Sequence, residues 1–150
     1  MEWIERLRGT VVGIDTSPLI YFIEEHPIWL ARVQPFFQAL DQGVFRAVTS
    51  TVTLTEVLVH PFRQYQGVLV EQYRQILLRA RNLTTVPVTA AIAEQAAELR
   101  AHYNLRTPDA IQLATALDAQ AGSFLTNDKG ISLPGSLRVI TLEELQPAVS

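Results

Sequence analysis

The stretch TVVGIDTSPLIYFIE, residues 10–24, decides the fold of this chain. Its first five residues form a short, mostly β-branched run that ends at Asp15 and predicts a buried strand. Ser17 and Pro18 then predict a helix N-cap followed by proline at the first helical position, opening a helix over residues 19–25. An acidic residue therefore stands at the junction between a buried strand and a helix.

The same alternation continues along the chain. Further strands are predicted at residues 44–49, 83–88, 123–126 and 137–140, and helices at 29–41, 54–61, 67–80, from Thr89 onward, 109–121 and 142–145. Strands separated by helices imply right-handed crossovers and a parallel sheet that is covered on both faces. The predicted fold class is α/β, a three-layer α/β/α sandwich with a central parallel sheet of four to five strands. We expect a single domain over residues 1–150.

Composition excludes several classes of protein. The 150 residues contain no cysteine, which rules out disulfides, thiolate metal sites and a cysteine nucleophile, and which fits the cytoplasm. No apolar run approaches the roughly 20 residues of a membrane helix, and the first residues carry no signal-peptide pattern. A formal net charge of −3 argues against a generally basic surface for nucleic acid, so any such contact must depend on local charge.

Acidic residues follow the predicted strands. Asp15 comes directly after the first strand and Asp128 follows the strand at 123–126, while Glu56 and Asp109 lie in the first turns of two helices. In open parallel sheets, ligands bind at the carboxyl ends of the strands near the point where strand order reverses. The four acids are therefore expected to converge at one edge of the sheet.

A divalent cation is the physical reason to collect like charges in one place. Unpaired carboxylates that pack together repel each other, whereas Mg²⁺ prefers oxygen ligands and offsets that repulsion. A structural role stays open for three of the acids individually. Asp109 can complement a helix dipole, Glu56 can be a solvated helix residue, and Asp128 can belong to a turn. Asp15 is poorly explained by capping or turn needs.

These residues carry a resemblance to a known family. The stretches VGIDTSPLIY (12–21), TLTE (53–56), RTPDAIQLAT (106–115) and FLTND (124–128) resemble the PIN-domain family, particularly VapC-type toxins of toxin–antitoxin pairs. The resemblance runs from about residue 11 to 140 and is most specific around Asp109. It implies a PIN fold, an endoribonuclease dependent on Mg²⁺ or Mn²⁺, a frequent homodimer, and a small antitoxin that blocks the site.

The resemblance also implies individual roles. Asp15, Glu56, Asp109 and Asp128 correspond to catalytic metal ligands, and three residues support them: Thr16, Thr126 and Asn127. Many relatives carry another acid shortly after the position of Asp128, but residues 129–133 supply none. We therefore expect one tightly held ion, with any second ion arriving with the RNA substrate.

Two other functions remain open. A binding module on a PIN scaffold without catalysis is possible because fold does not fix function, although the presence of all four acids argues against it. A phosphatase with Asp15 as nucleophile is weaker. That chemistry needs a second acid at position 17, which is Ser17, and an independent lysine, whereas Lys129 adjoins Asp128.

Overall fold

The computed structural model describes residues 1–131, 133, 135 and 137–147, so the end of the predicted domain, residues 148–150, lies outside the described residues. In chain order the elements are α1 (Glu2–Leu7), β1 (Val11–Ile14), α2 (Thr16–Ile23), α3 (Leu30–Asp41), β2 (Arg46–Ser50), α4 (Thr51–Arg63), α5 (Gly67–Arg79), β3 (Leu83–Val86), α6 (Ala90–His102), α7 (Thr107–Asp118), β4 (Ser123–Thr126), β5 (Arg138–Thr141) and a terminal 3₁₀ helix (Leu142–Glu144). The predicted α/β class with a parallel five-stranded sheet is confirmed.

The strand order is β3-β2-β1-β4-β5, and every neighbouring pair is parallel. The strands run outward from β1 in both directions, because after β3 the chain crosses back and places β4 on the other side of β1. The topological switch point of the sheet therefore lies between β1 and β4. Ligand crevices form outside the carboxyl ends of the strands at such a switch point. Asp15 directly follows β1 and Asp128 lies two residues after β4, which places both at this position.

Apolar side chains fill both sides of the sheet. One cluster joins the sheet to α1, α2, α3, α4 and α5 and includes the fully buried Ile14, Leu19 and Phe36. Two smaller clusters on α6 and α7 centre on Leu113 and Ala110. Within the described residues, no helix is both long and apolar enough to cross a bilayer.

The starts of two helices differ from the sequence prediction. Asp15, and not Ser17, is the N-cap of α2, because its backbone is extended and its side chain accepts a hydrogen bond from the Thr16 N–H. Arg106 is the N-cap of α7, so Thr107 is already helical and Pro108 follows it. The proline signal located both helices correctly, but it placed the N-cap of α2 two residues too late and the N-cap of α7 one residue too late.

Helix ends were also predicted imperfectly. α4 continues through Pro61 to Arg63, and α7 ends at Asp118, where Gln120 takes a positive φ of 56°. Proline removes one backbone donor but is tolerated when a tertiary surface holds the helix, and Pro61 is buried. The six-residue α1 was not predicted at all. Its Leu7 is buried, and Trp3 stacks on Phe36 with 6.4 Å between ring centroids.

Gly13 in β1 allows α7 to approach the sheet closely. A Cβ at this position would lie 2.7 Å from Cβ of Ala116 on α7 and 2.9 Å from Cδ1 of Phe124 on β4. Neither atom belongs to the far end of a flexible side chain, so any larger residue would push α7 away. Because α7 carries Asp109, the glycine fixes the distance between two of the predicted site residues.

We therefore expect Gly13→Ala to lower the free energy of unfolding by about 1–3 kcal/mol through overpacking. Urea denaturation would measure the change. Gly67→Ala is the matched control, because a Cβ at Gly67, the first residue of α5, meets nothing within 4 Å. Equal stability of the two variants would contradict the packing argument.

Candidate active site

Asp15 is held by two hydrogen bonds at the end of β1. Its Oδ1 accepts the Thr16 N–H at 2.9 Å, and its Oδ2 accepts the Thr126 hydroxyl at 2.7 Å. Its own N–H donates to the Leu125 carbonyl at 2.9 Å, which extends the pairing of β1 with β4 by one residue. The carboxylate thus does cap α2, contrary to the expectation that capping would not explain it.

The charge of Asp15 is unfavourable in this position. Burial is the main cause that raises the pKa of Asp15, and the negative charges of Asp109 and Glu56 raise it further. The hydrogen bonds from Thr126 and Thr16 oppose this shift but do not reverse it. Asp109 and Glu56, from two other segments of the chain, therefore lie close enough to Asp15 to act on it electrostatically.

Glu56 is an exposed residue of α4 that is tied to α2. The Thr16 hydroxyl donates to its Oε1 at 2.8 Å. Thr16 thereby contacts two of the predicted acids at once, Asp15 through its backbone and Glu56 through its side chain. The predicted supporting role of Thr16 has a defined geometry, in which one residue holds two carboxylates near each other.

Asp109 lies at the third position of α7 and pairs with a basic residue. Nε of Arg106 donates to its Oδ2 at 3.1 Å. The carboxylate side chain is only 12% exposed, whereas the arginine side chain is 80% exposed. The pKa of Arg106 is raised mainly by this bond, and the charges of Asp128 and Glu56 add to it. Arg106 therefore lies within the field of three of the four acids.

Asp128 is reached through Thr126. The Thr126 hydroxyl accepts the Asp128 N–H at 3.0 Å while donating to Asp15, so it joins two of the predicted acids. Oδ1 of Asp128 accepts the Gly130 N–H at 2.8 Å, which is the turn role that the sequence left open. The Asn127 side chain donates to the Tyr21 hydroxyl at 3.2 Å and anchors the loop to α2.

The oxygen donors of these acids suit a hard cation. Within the described ranges, no three acidic or histidine side chains lie close enough to form a ready-made metal-binding group. Mg²⁺ usually relies on one or two carboxylates and keeps several waters, so it does not require such a group. Burial, and to a smaller extent repulsion from Asp109 and Glu56, raises the pKa of Asp15, and a bound cation would relieve this unfavourable charge. The residues present therefore fit Mg²⁺ or Mn²⁺.

A network of buried polar side chains bonds to Thr16, the residue that holds two of the acids, and this network was not predicted from the sequence. Gln112 on α7 is 1% exposed, and its Oε1 accepts the Ser50 N–H at 3.2 Å. Its amide donates to the hydroxyls of Thr53 and Thr16. Thr53 in turn bonds to Thr49 at 2.9 Å.

The direction of the network follows from counting protons. Thr49 donates to the Ile14 carbonyl and Thr16 donates to Glu56, so each of these hydroxyls must accept any further bond. The single proton of the Thr53 hydroxyl is then available for the bond to Thr49. The Gln112 amide supplies the protons for the bonds to Thr53 and Thr16. The orientation of Glu56 thus depends on a glutamine that lies in a different helix.

A signal for this network was present in the sequence. Gln112 is a polar residue between the apolar Ile111 and Leu113, one turn after Asp109. Thr49 near the end of β2 and Thr53 in the first turn of α4 are four residues apart. Neither pattern identifies its partner, because the hydrogen bonds join residues about 60 positions apart.

We expect Gln112→Leu to lower the free energy of unfolding by about 1–3 kcal/mol, because the buried Ser50 and Thr53 groups lose their partner. Urea denaturation would measure this. The control is Gln75→Leu on the exposed side of α5, where the Gln75 side chain bonds to Glu71 and the change should stay within about 0.5 kcal/mol. If Gln112→Leu is as stable as that control, the network does not stabilise the site.

The fold is similar to several solved structures. VapBC2 from Rickettsia felis, solved with a DNA fragment from its promoter, is 15% identical with a TM-score of 0.69, covering 87% of this chain and 98% of that chain. A toxin–antitoxin complex from Klebsiella pneumoniae is 24% identical with a TM-score of 0.65, covering 89% and 98%. VapC20 from Mycobacterium tuberculosis, a toxin that cleaves the sarcin-ricin loop, is 16% identical with a TM-score of 0.63, covering 77% and 87%.

At these identities the similarity concerns the fold. No curated protein sequence matches the chain. The model of the PIN domain matches residues 12–135, which include all four candidate acids and the whole of the network beneath them. The resemblance noted in the sequence is therefore confirmed, and the chain belongs to the PIN-domain family.

Proposed function

We propose that the chain is a metal-dependent endoribonuclease that hydrolyses RNA phosphodiester bonds and is the toxin of a toxin–antitoxin pair. The observation that carries this proposal is Asp15, an enclosed carboxylate at the switch point of the sheet that feels the charges of Asp109 and Glu56. The similar VapC20 fold belongs to a toxin that cleaves an RNA loop, which supports this substrate class. Such an enzyme would meet its RNA in the cytoplasm.

Asp15, Asp109, Asp128 and Glu56 would hold Mg²⁺ or Mn²⁺. When bound, the cation would lower the pKa of an attacking water and offset the negative charge that develops on the phosphate. The remaining chemistry belongs to the chain. Thr16 and Thr126 fix both oxygens of Asp15, so this carboxylate is positioned before substrate arrives.

Glu56 is the acid best suited to move a proton. It is exposed, and the Thr16 hydroxyl occupies its Oε1, so we assign its Oε2 as the acceptor for a proton from the attacking water. The Asn127–Tyr21 hydrogen bond supports Asp128 by anchoring the loop that carries it. Hydrolysis needs no part of the 2′-hydroxyl in this scheme.

The two other functions are less well supported. The phosphatase reading needs a second acid at position 17, which is Ser17, and a lysine directed at the site, but Lys129 pairs with Glu143 at 2.7 Å. A binding module without catalysis has no need to keep an unfavourable charge such as Asp15 enclosed. Cleavage assays separate this module from the nuclease.

The purified chain should cut a mixed RNA pool with Mg²⁺ or Mn²⁺ but not with EDTA. Asp15→Asn should reduce the rate about 100-fold or more, since even the partners of metal ligands typically contribute 10- to 100-fold. Asp118→Asn is the control, because it makes the same change at the exposed far end of α7. Metal-independent cleavage, or full activity of Asp15→Asn, would refute the proposal.

A thermal melt in EDTA shows that the Asp15→Asn variant is folded. The raised pKa of Asp15 means that its ionised form destabilises the folded state, so the variant should melt at or above the wild-type temperature near neutral pH. The difference should vanish as pH falls below the ordinary carboxyl range, where Asp15 is protonated in both states. Loss of cleavage without loss of stability then assigns the effect to the site.

An antitoxin is the partner that we propose for an apolar surface formed by Val59 and Phe62 on α4, Tyr65 in the turn that follows, and Val68 on α5. Their exposures run from 42% for Val59 to 95% for Tyr65. Contiguous exposed apolar residues mark interaction sites. The similar structures from Rickettsia felis and Klebsiella pneumoniae are toxin–antitoxin complexes, which supports this occupant. A homodimer remains a further prediction, to be measured as twice the 16.8 kDa chain mass.

Phe62→Glu should prevent binding of the product of an adjacent small gene without changing RNA cleavage by the free chain. Co-expression followed by affinity purification measures the complex, and the matched control is Leu78→Glu, an exposed apolar residue near the other end of α5. If Phe62→Glu binds as well as Leu78→Glu does, the antitoxin binds elsewhere. If the wild-type chain forms only a dimer through this surface, a second copy is the occupant.

A further inference from the structure

Arg106 has an exposed guanidinium at the mouth of the acidic site. Its Nε bonds to Asp109 at 3.1 Å, and in the described part of the chain this is the only hydrogen bond that its side chain makes. A guanidinium carries five N–H donors in a planar arrangement. The two Nη groups therefore remain available for another acceptor.

The position of Arg106 is not explained by the needs of α7. Its side chain makes no capping hydrogen bond. The loop before α7 is held instead by Arg100, which donates to the Leu105 carbonyl at 2.9 Å and to the Thr107 hydroxyl at 2.8 Å. Arg100 thus supplies the structural contacts, and the charge of Arg106 is directed at the acids.

Arg106 neutralises part of the acidic cluster in this structure. Besides its bond to Asp109, it feels the charges of Asp128 and Glu56. These are the acids that would bind a divalent cation, so arginine and cation compete for the same carboxylates. The guanidinium of this ion pair is 80% exposed, so the pair is weak and easily exchanged.

We propose that Arg106 is a phosphate-binding residue of this site, which leaves Asp109 when the divalent cation binds and then contacts the RNA phosphate through its Nη groups. This inference rests on the proposed nuclease function. Planar arginine matches the paired oxygens of a phosphate and forms two parallel hydrogen bonds with them. The exchange needs no covalent step, because one positive group replaces another at Asp109.

The proposal makes two predictions of opposite sign for Arg106→Gln. Removal of the competing charge should tighten Mn²⁺ binding to the RNA-free protein by about two- to fivefold, the range that an exposed ion pair represents. Removal of the phosphate contact should lower kcat/KM for RNA cleavage at saturating Mn²⁺ by about tenfold or more. Calorimetric titration with Mn²⁺ measures the first effect and steady-state cleavage the second.

Two variants serve as controls. Arg106→Lys keeps the charge but not the planar pair of donors, so Mn²⁺ affinity should stay near that of the wild type while kcat/KM falls partway. Arg81→Gln makes the same charge change at an exposed position just before β3, at the opposite edge of the sheet, and should change neither quantity.

A purely structural role for Arg106 predicts that both Mn²⁺ affinity and kcat/KM fall, because the site loosens, and this result would overturn the proposal. Unchanged Mn²⁺ affinity in Arg106→Gln would overturn it as well. Failure of the nuclease function itself appears in the wild type, as absence of metal-dependent cleavage. The two failures are therefore distinguishable.

Discussion

The carboxylate of Asp15 lies at the central switch of the sheet, held by a donor from α2 and a donor from β4. Both donors act on it from opposite sides, so β1, α2 and β4 must keep their relative positions for either bond to form. The parallel pairing of β1 with β4 and the close approach of α7 over Gly13 meet that requirement. The geometry of the candidate site therefore follows from how tightly these elements pack.

Next to the Asp15 site, the protein interior contains a network of polar side chains in place of apolar ones. Gln112, Thr53 and Thr49 are buried, and each satisfies its hydrogen-bonding capacity within the network. A buried network of this kind stabilises only if it is complete, because an unpaired polar group in the interior is costly. Completeness also gives precision, since α4 and α7 cannot shift independently without breaking a bond. The Thr16 hydroxyl belongs to this network and donates to Glu56, which holds the Glu56 side chain in position.

The charged groups of the site are paired less completely than its hydrogen-bonding groups. The charges of Asp109 and Glu56 act on Asp15, and those of Asp128 and Glu56 act on Arg106, the basic residue that pairs with Asp109. Burial and repulsion together disfavour the ionised form of Asp15, and the apolar clusters on both faces of the sheet supply the stability that tolerates this cost. An acidic site whose negative charge is unfavourable without a cation suits the proposed binding of a metal ion and then of an RNA phosphate.

The sequence by itself determined the α/β class, the order along the chain of the strands and of the helices after α1, and which acids follow the strands. Those features depend on local periodicity, on proline and glycine, and on composition, all of which act over a few residues. The Thr126–Asp15 bond, the Gln112 network and the closeness of Arg106 to Glu56 and Asp128 depended on tertiary structure. They join segments far apart in the chain, and residue patterns carry no distance between such segments. Only the strand order and the packing of α7 on β1 brought these groups within hydrogen-bonding or electrostatic reach.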